Sequence, residues 1–218
     1  MSHPIITDLK NRYTAKRYDA AKRIPQEELD VIYEAIQLSA SSINSQPWKF
    51  VVIESDTAKQ RMDDTFANKF QFNQPHVKSA SHIILFAHNP AYTREDYAKV
   101  VDKGIEDGRT KPEDREAAFG GFAFVGLNTD ENGDTSSWTK AQTYLALGNT
   151  LHVLARLGID STTMEGIDSE LIGEIFKDEL DGYVCDVALA IGYHHTEEDY
   201  NASLPKSRLA LNEVLTVI

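Results

Sequence analysis

IPQEELDVIYEAIQLSASSINSQPWKFVVI, residues 24–53, changes periodicity partway along, and that change decides the class of fold. In its first part Leu29, Ile32, Tyr33 and Ile36 recur at i, i+3, i+4 and i+7. Glu27, Glu28 and Asp30 sit in the first turn, at the positive end of a helix dipole. This predicts an amphipathic helix after Ile24-Pro25. A polar stretch, Ser39 to Trp48, then gives way to Phe50-Val51-Val52-Ile53, a short apolar run of buried-strand type.

Outward from this stretch, residues 82–87 (HIILFA) predict a second strand and Tyr183 to Gly192 a last core strand. Between them Trp138, Ala141, Leu145, Gly148, His152 and Ala155 keep helical spacing, predicting a long helix from Ser136 to Leu157 that Gly158 stops. That helix is apolar over more than one stripe, which predicts burial on two sides, with a close backbone approach at Gly148. A shorter helix is predicted over Ser169–Phe176. The stretch from Gly104 to Gly126 holds five of the twelve glycines and no steady period. Helical patches are expected around Tyr92–Val101 and Pro112–Phe119, in a mobile region suited to cover a site. Strands and helices do not alternate regularly, so the expected class is α+β around a central mixed, mainly antiparallel sheet flanked by helices, with residues 1–218 as one domain.

A formal net charge of −12 argues against nucleic acid or an anionic membrane as the main partner. The single cysteine, Cys185, lies in an apolar run and reads as a small core residue. One thiol agrees with a reducing compartment. Met1-Ser2-His3-Pro4 shows no apolar signal core and no 18-residue apolar stretch occurs, so a cytoplasmic protein is expected. The apolar tail, residues 209–218, carries only Glu213 as a charge and needs a surface, for which a partner subunit is the natural choice.

Common catalytic signatures are missing. No Gly-x-Gly-x-x-Gly follows a strand, there is no Gly-Lys-Ser/Thr loop, and Gly-x-Ser-x-Gly does not occur. His194-His195 with Glu197, Glu198 and Asp199 could suggest a metal site, but adjacent side chains on an extended chain point opposite ways, so no metal is expected. The basic residues say more. Lys10, Arg12, Lys16, Arg17, Lys22 and Arg23 crowd into the first 23 positions, and Lys206 and Arg208 frame Ser207 near the other end. Two basic clusters in an acidic chain suit a phosphate-bearing ligand, although solvated surface patches would look the same.

Several segments in order resemble the oxygen-insensitive NAD(P)H nitroreductases and FMN-dependent flavin reductases. They are Arg12-Tyr13-Thr14-Ala15-Lys16, Ser41-Ser42-Ile43-Asn44-Ser45-Gln46-Pro47-Trp48, Phe72-Asn73, Trp138-Thr139-Lys140-Ala141-Gln142, Glu165-Gly166 and Leu204-Pro205-Lys206-Ser207-Arg208. The resemblance spans nearly the whole chain. It implies an intertwined homodimer with two FMN sites in the interface, each built from both subunits, and NADH or NADPH as electron donor. It places Arg12, Lys206 and Arg208 at the FMN phosphate with Thr14 nearby, Lys16 and Asn73 at the polar edge of the ring, and Glu165 and Gly166 beside it. Ser41, Ser42, Asn44 and Gln142 of the other subunit complete the pocket, and Ile43, Phe72 and Phe124 border the open face where acceptors stack. The implied activity is ping-pong two-electron reduction of nitroaromatics, quinones or similar electrophiles. Alternatives are a flavin reductase, a dihydropteridine reductase or a non-catalytic FMN-binding protein. The cofactor would carry the chemistry, which agrees with the missing nucleophile and general acid. Lys16 is expected to stabilise negative charge on the reduced flavin.

Four departures stand out. His76 replaces a lysine of close relatives, which suggests weaker stabilisation of reduced FMN above the ordinary imidazole pKa of about 6.5. Ala40 replaces a proline, Thr163-Met164 replace Pro-Ile, and Ile43 stands where some relatives have threonine.

Overall fold

A computed structural model describes residues 3–218; Met1 and Ser2, read above for a signal core, lie outside the described residues. In chain order the helices are α1 (Pro4–Asn11), α2 (Gln26–Gln37), α3 (Asp56–Asp64), α4 (Gln74–Ser79), α5 (Arg94–Glu106), α6 (Arg115–Ala118), α7 (Ala123–Gly126), α8 (Ser136–Leu157), α9 (Ser169–Ile175), α10 (Lys177–Leu180) and α11 (Leu211–Val214). The strands are β1 (Trp48–Ile53), β2 (His82–His88), β3 (Asp160–Met164) and β4 (Val184–Gly192). They form one sheet in the order β1-β2-β4-β3, antiparallel at every pairing. Among the described residues, parallel pairing is limited to a bridge between Thr14 and Ser161 beside β3. The fold is α+β, as expected.

Alternation along β2 explains its unbroken apolar run. Ile83, Leu85 and Ala87 face Met62 of α3, Val77 of α4 and Ile172 of α9, while Ile84 and Phe86 face Leu29, Ile32 and Ile36 of α2 and Ala146, Leu147 and Leu154 of α8. Between its two buried terminal histidines, this central strand is covered on both faces and its five inner positions are all apolar.

Where the structure departs from the sequence reading, the cause is local. β3 was not foreseen because its sequence, Asp-Ser-Thr-Thr-Met, is polar. Its buried Thr162 hydroxyl is satisfied, donating to the carbonyl of Ala15 at 2.5 Å and pairing with the Tyr18 hydroxyl at 2.8 Å, whereas the buried Ser161 hydroxyl finds no partner among the described residues. α8 matches its predicted bounds, but only one face is buried, through Trp138, Thr139, Gln142, Thr143, Ala146, Leu147, Thr150 and Leu154. Ala141, Leu145 and Gly148 face outward, and a Cβ built on Gly148 meets nothing within 4 Å. No close backbone approach within this chain explains that glycine. Residues 104–126 are short helical segments packed on a separate apolar cluster of Tyr92, Tyr97, Val101, Phe119, Val125 and Trp138. With α6 and α7 only four residues long, no period could show. None of the described helices is long and apolar enough to cross a membrane.

Candidate functional site

Residues 12–19 form a strap laid across the end of the sheet. The Ala15 amide donates to the Ser161 carbonyl at 3.2 Å, and Tyr18 bridges to His194. The strap is also tied to the far end of the chain. Asp199, buried, accepts from the Lys16 amide at 3.1 Å and from the Tyr13 hydroxyl at 3.0 Å, and Asn201 donates to the Thr14 carbonyl at 2.7 Å. Neither Asp199 nor Asn201 was foreseen as part of the site. Asp199 had stood in the acidic run weighed as a metal cluster; its signal was hidden because its partners lie some 180 residues away.

Two cavities meet at Thr14 on this strap. The first, about 480 Å³, is lined by Arg12, Thr14, Lys206 and Arg208 with Lys10 and Asn201. Lys206 Nζ donates to the carbonyl of Arg12, which brings the first and last basic clusters together. Among the described residues neither Arg12, Lys206 nor Arg208 makes an ion pair with a carboxylate. Burial, then the Arg208 charge, lowers the pKa of Arg12 from its ordinary value. Burial, then Arg12 and Arg208, does the same to Lys206. Cations that destabilise one another's charge make a cradle for an anion, and their planar and point-charge donors suit phosphate oxygens.

The second cavity, about 430 Å³, is lined by Lys16, Arg17, Phe72, Asn73, His76, Thr162, Thr163, Met164, Glu165, Gly166 and Tyr200, again with Thr14. Its floor is held from two sides. The Asn73 amide donates to the Gly166 carbonyl at 2.8 Å, and the Tyr144 hydroxyl of α8 donates to Glu165 Oε1 at 2.5 Å. A Cβ on Gly166 would stand 3.1 Å from the rings of Phe70 and Phe72, so a side chain there would require those rings to give way by a few tenths of an ångström. Of this lining, Arg17, Thr162 and Tyr200 were not predicted. Arg17 was counted in the basic cluster, but nothing in its spacing separated it from the solvated charges.

His76 requires a correction. It is 5% exposed, and burial followed by the charges of Lys16 and Arg17 pushes its pKa down to about 4, with Asp199 acting the other way. The imidazole is therefore neutral well below the expected 6.5 and cannot lose a stabilising charge above it. Its Nδ1 is buried without a hydrogen-bond partner among the described residues, an atom that a bound ligand can satisfy.

The remaining predicted residues line neither cavity. Ser41, Ser42, Ile43 and Asn44 lie together with Gln142 in a second cluster, where the Ser42 amide donates to Gln142 Oε1 at 2.7 Å. The loop is strained: Ile43, Asn44 and Gln46 have φ of 51°, 56° and 45°. Asparagine tolerates this left-handed region, but a β-branched isoleucine does so at a cost of about 1–3 kcal/mol. The Tyr92 hydroxyl, donating to the Ser45 carbonyl at 2.6 Å, helps hold it. Phe124, exposed, packs edge-on to Trp138 with ring centroids 6.1 Å apart. One chain thus carries two separate sets of predicted site residues.

The other candidates take structural places. His194 pairs with Asp160 at 2.8 Å, whereas the His195 ring accepts from the amides of Glu197 and Glu198, so the two rings diverge. No group of metal-ligating side chains occurs among the described residues. Cys185 is buried, and burial pushes its thiol up to about 12, so it is no nucleophile at neutral pH.

Comparison with known proteins adds an independent line. The sequence pattern of the Nitroreductase family matches residues 9–193. The chain is 66% identical over 218 residues to the major NAD(P)H-flavin oxidoreductase of Aliivibrio fischeri, covering 100% of both chains. It is 35% identical over 216 residues to the oxygen-insensitive NAD(P)H nitroreductase of Salmonella typhimurium, covering 98% of this chain and 99% of that one. Among solved structures, a protein from Exiguobacterium sibiricum described as a nitroreductase in complex with FMN superposes with a TM-score of 0.81 at 25% identity, covering 100% of this chain and 99% of that one.

Proposed function

Given that this chain belongs to the nitroreductase family, we propose that the two cavities joined at Thr14 seat one FMN, phosphate in the first and ring in the second. The chain is an FMN-dependent NAD(P)H oxidoreductase. The observation that carries the placement is the convergence of Arg12, Lys206 and Arg208 without carboxylate partners at one end of a cavity that leads into a ring-sized slot.

When bound, FMN supplies two-electron transfer from a nicotinamide to a second ligand. The protein's own tasks are orientation and electrostatics. Arg12, Lys206 and Arg208 hold the phosphate, with Thr14 at the junction. Lys16 and Asn73 face the polar edge of the ring, and Lys16 favours added negative charge there. Glu165 and Gly166, pinned by Tyr144 and Asn73, present backbone to the ring.

The residues outside the two cavities are read as the contribution of a second copy. Ser41, Ser42, Asn44 and Gln142 complete the partner's pocket, while Ile43 and Phe124 join Phe72 at the acceptor face. The outward stripe of Ala141, Leu145 and Gly148 on α8 supports a homodimer, because a glycine with open space above it admits another backbone. The exposed tail, residues 209–218, is read as an arm on the partner subunit. Residues 1–218 are taken as one FMN-binding domain, and a cytoplasmic location suits NAD(P)H as donor. The full-length 66% identity to a flavin oxidoreductase supports free flavin as the acceptor; nitroaromatics and quinones are further substrates of the same open face.

Anaerobic stopped-flow mixing of the FMN-loaded protein with NADH and with NADPH tests this. Rapid bleaching of the flavin, with colour restored on adding free flavin, a quinone or a nitroaromatic, is expected. A yellow protein that neither nucleotide bleaches would instead be a non-catalytic flavin carrier.

A further inference from the structure

The ring cavity contains a cation that the reading above does not use. Arg17 lines it beside Lys16 and His76. Its Nη1 donates to the carbonyl of Lys16 at 2.8 Å, which holds the guanidinium back along the strap while leaving the residue exposed to solvent. Among the described residues no carboxylate lies within ion-pair distance of Arg17, in a chain of net charge −12. Its position is fixed from behind: the Arg17 carbonyl accepts from the His195 amide at 2.9 Å, and the neighbouring Tyr18 is buried.

The groups around His76 separate the possible sources of charge. Lys16 and Arg17 face the imidazole from the strap. Asp199 faces it from the C-terminal segment, with its oxygens engaged by Tyr13 and the Lys16 amide. The Tyr18 ring packs edge-on at 6.4 Å, its hydroxyl occupied by Thr162 and Ala190. His76 is neutral in this setting and offers a hydrogen-bonding nitrogen.

We propose that Arg17 is a second flavin-tuning cation, acting with Lys16 on the ring cavity to favour reduced FMN over oxidised FMN, while His76 offers its unpartnered Nδ1 as a hydrogen-bonding atom. Reduced flavin carries added negative charge on the N1–C2=O side, so a nearby fixed cation binds that form more tightly than the oxidised one. The inference rests on the FMN placement above and adds a residue to it.

The test is a spectroelectrochemical titration of FMN-loaded wild type, Arg17→Gln and Arg17→Lys, with the dissociation constant of oxidised FMN measured in parallel by flavin fluorescence. Arg17→Gln should hold oxidised FMN within roughly twofold of wild type, since the phosphate cradle is untouched. Its preference for the reduced form should fall roughly three- to tenfold, the upper value lowering the two-electron midpoint potential by about 30 mV. Arg17→Lys should restore most of the loss. Because the guanidinium is open to solvent, the gap between wild type and Arg17→Gln should narrow from low to high salt. A midpoint potential unchanged in Arg17→Gln overturns the inference. So does an Arg17→Lys protein as low as Arg17→Gln, which would mean that shape and not charge matters. Failure of the wild type to retain FMN is a different result, and it would reject the proposed function itself.

Discussion

His76 is an imidazole that folding keeps from its proton. Unfolded, it is protonated near pH 6.5; folded, burial and the charges of Lys16 and Arg17 delay this to about 4. Between those values the unfolded chain binds more protons, so this residue makes stability rise with pH. Its contribution is complete above the unfolded pKa and is lost as the pH falls toward 4. Urea unfolding of wild type and His76→Gln between pH 4.5 and 7.5 should show the wild-type curve falling more steeply on the acid side, by about 2 to 3 kcal/mol at the extreme. Parallel curves would mean that His76 protonates normally in the folded state. At the other end of the site, Arg208→Gln removes one of three converging cations. It should weaken binding of oxidised FMN by about 10- to 100-fold with little change in melting temperature, because charge-assisted bonds are worth about 1.5–3 kcal/mol each. Flavin fluorescence titration measures the first effect and thermal melting the second.

Among the elements, α8 shows most plainly what sequence could and could not disclose. Its bounds were legible because helical spacing and the left-handed Gly158 report on the chain itself. Its second apolar stripe was legible as apolar, but not as facing outward, because no described part of this chain covers it. β3 escaped notice for the opposite reason: its stability comes from hydroxyls bonded to the strap, and such partners leave no periodic trace. The site divides in the same way. Arg12, Lys16, Gly166 and Arg208 could be located because they stand in distinctive short motifs. Arg17, Asp199 and Tyr200 could not, since their roles depend on which distant segments the fold brings beside them. If the outward stripe of α8 is a subunit contact, Leu145→Asp places a charge in it. Sedimentation velocity should then show the wild type as a dimer and the variant shifted to monomer at micromolar concentration. A wild type that sediments as a monomer would remove the proposed interface. Within the segment covering the Ser41–Gln46 loop, a Cβ on Gly121 would fall 2.6 Å from the Tyr97 hydroxyl, which itself donates to the Ile43 carbonyl at 3.4 Å. Gly121→Ala should therefore displace Tyr97 and alter the KM for acceptors while oxidised FMN binds as before. Steady-state kinetics with two acceptors of different size would reveal it, and unchanged KM values for both would refute it.

For the whole molecule, the separation of the predicted residues into two sets sets up a complementation experiment. Arg208→Gln damages the cradle, and Gln142→Ala damages the set assigned to the opposite subunit. Purified separately, each variant has two impaired sites per dimer. After subunit exchange at equal amounts, half the dimers are mixed, and each mixed dimer holds one site with neither lesion. Activity should rise to about a quarter of the wild-type value. No recovery after verified exchange would mean that both sets serve the same chain's site. The tie between the first and last basic clusters has a consequence of another kind, in time. Arg12 and Lys206 are 194 positions apart, yet one donates to the other's carbonyl, and Asp199 and Asn201 hold the same strap. Synthesis at about 5–20 residues per second leaves the strap waiting roughly 10–40 s for its counterpart. A nascent chain can settle its sheet and helices in that interval but has no anion cradle to offer. If this cradle seats the cofactor, possession of it marks a polypeptide translated past Arg208, and a chain terminated before that point should remain colourless however well its core has formed.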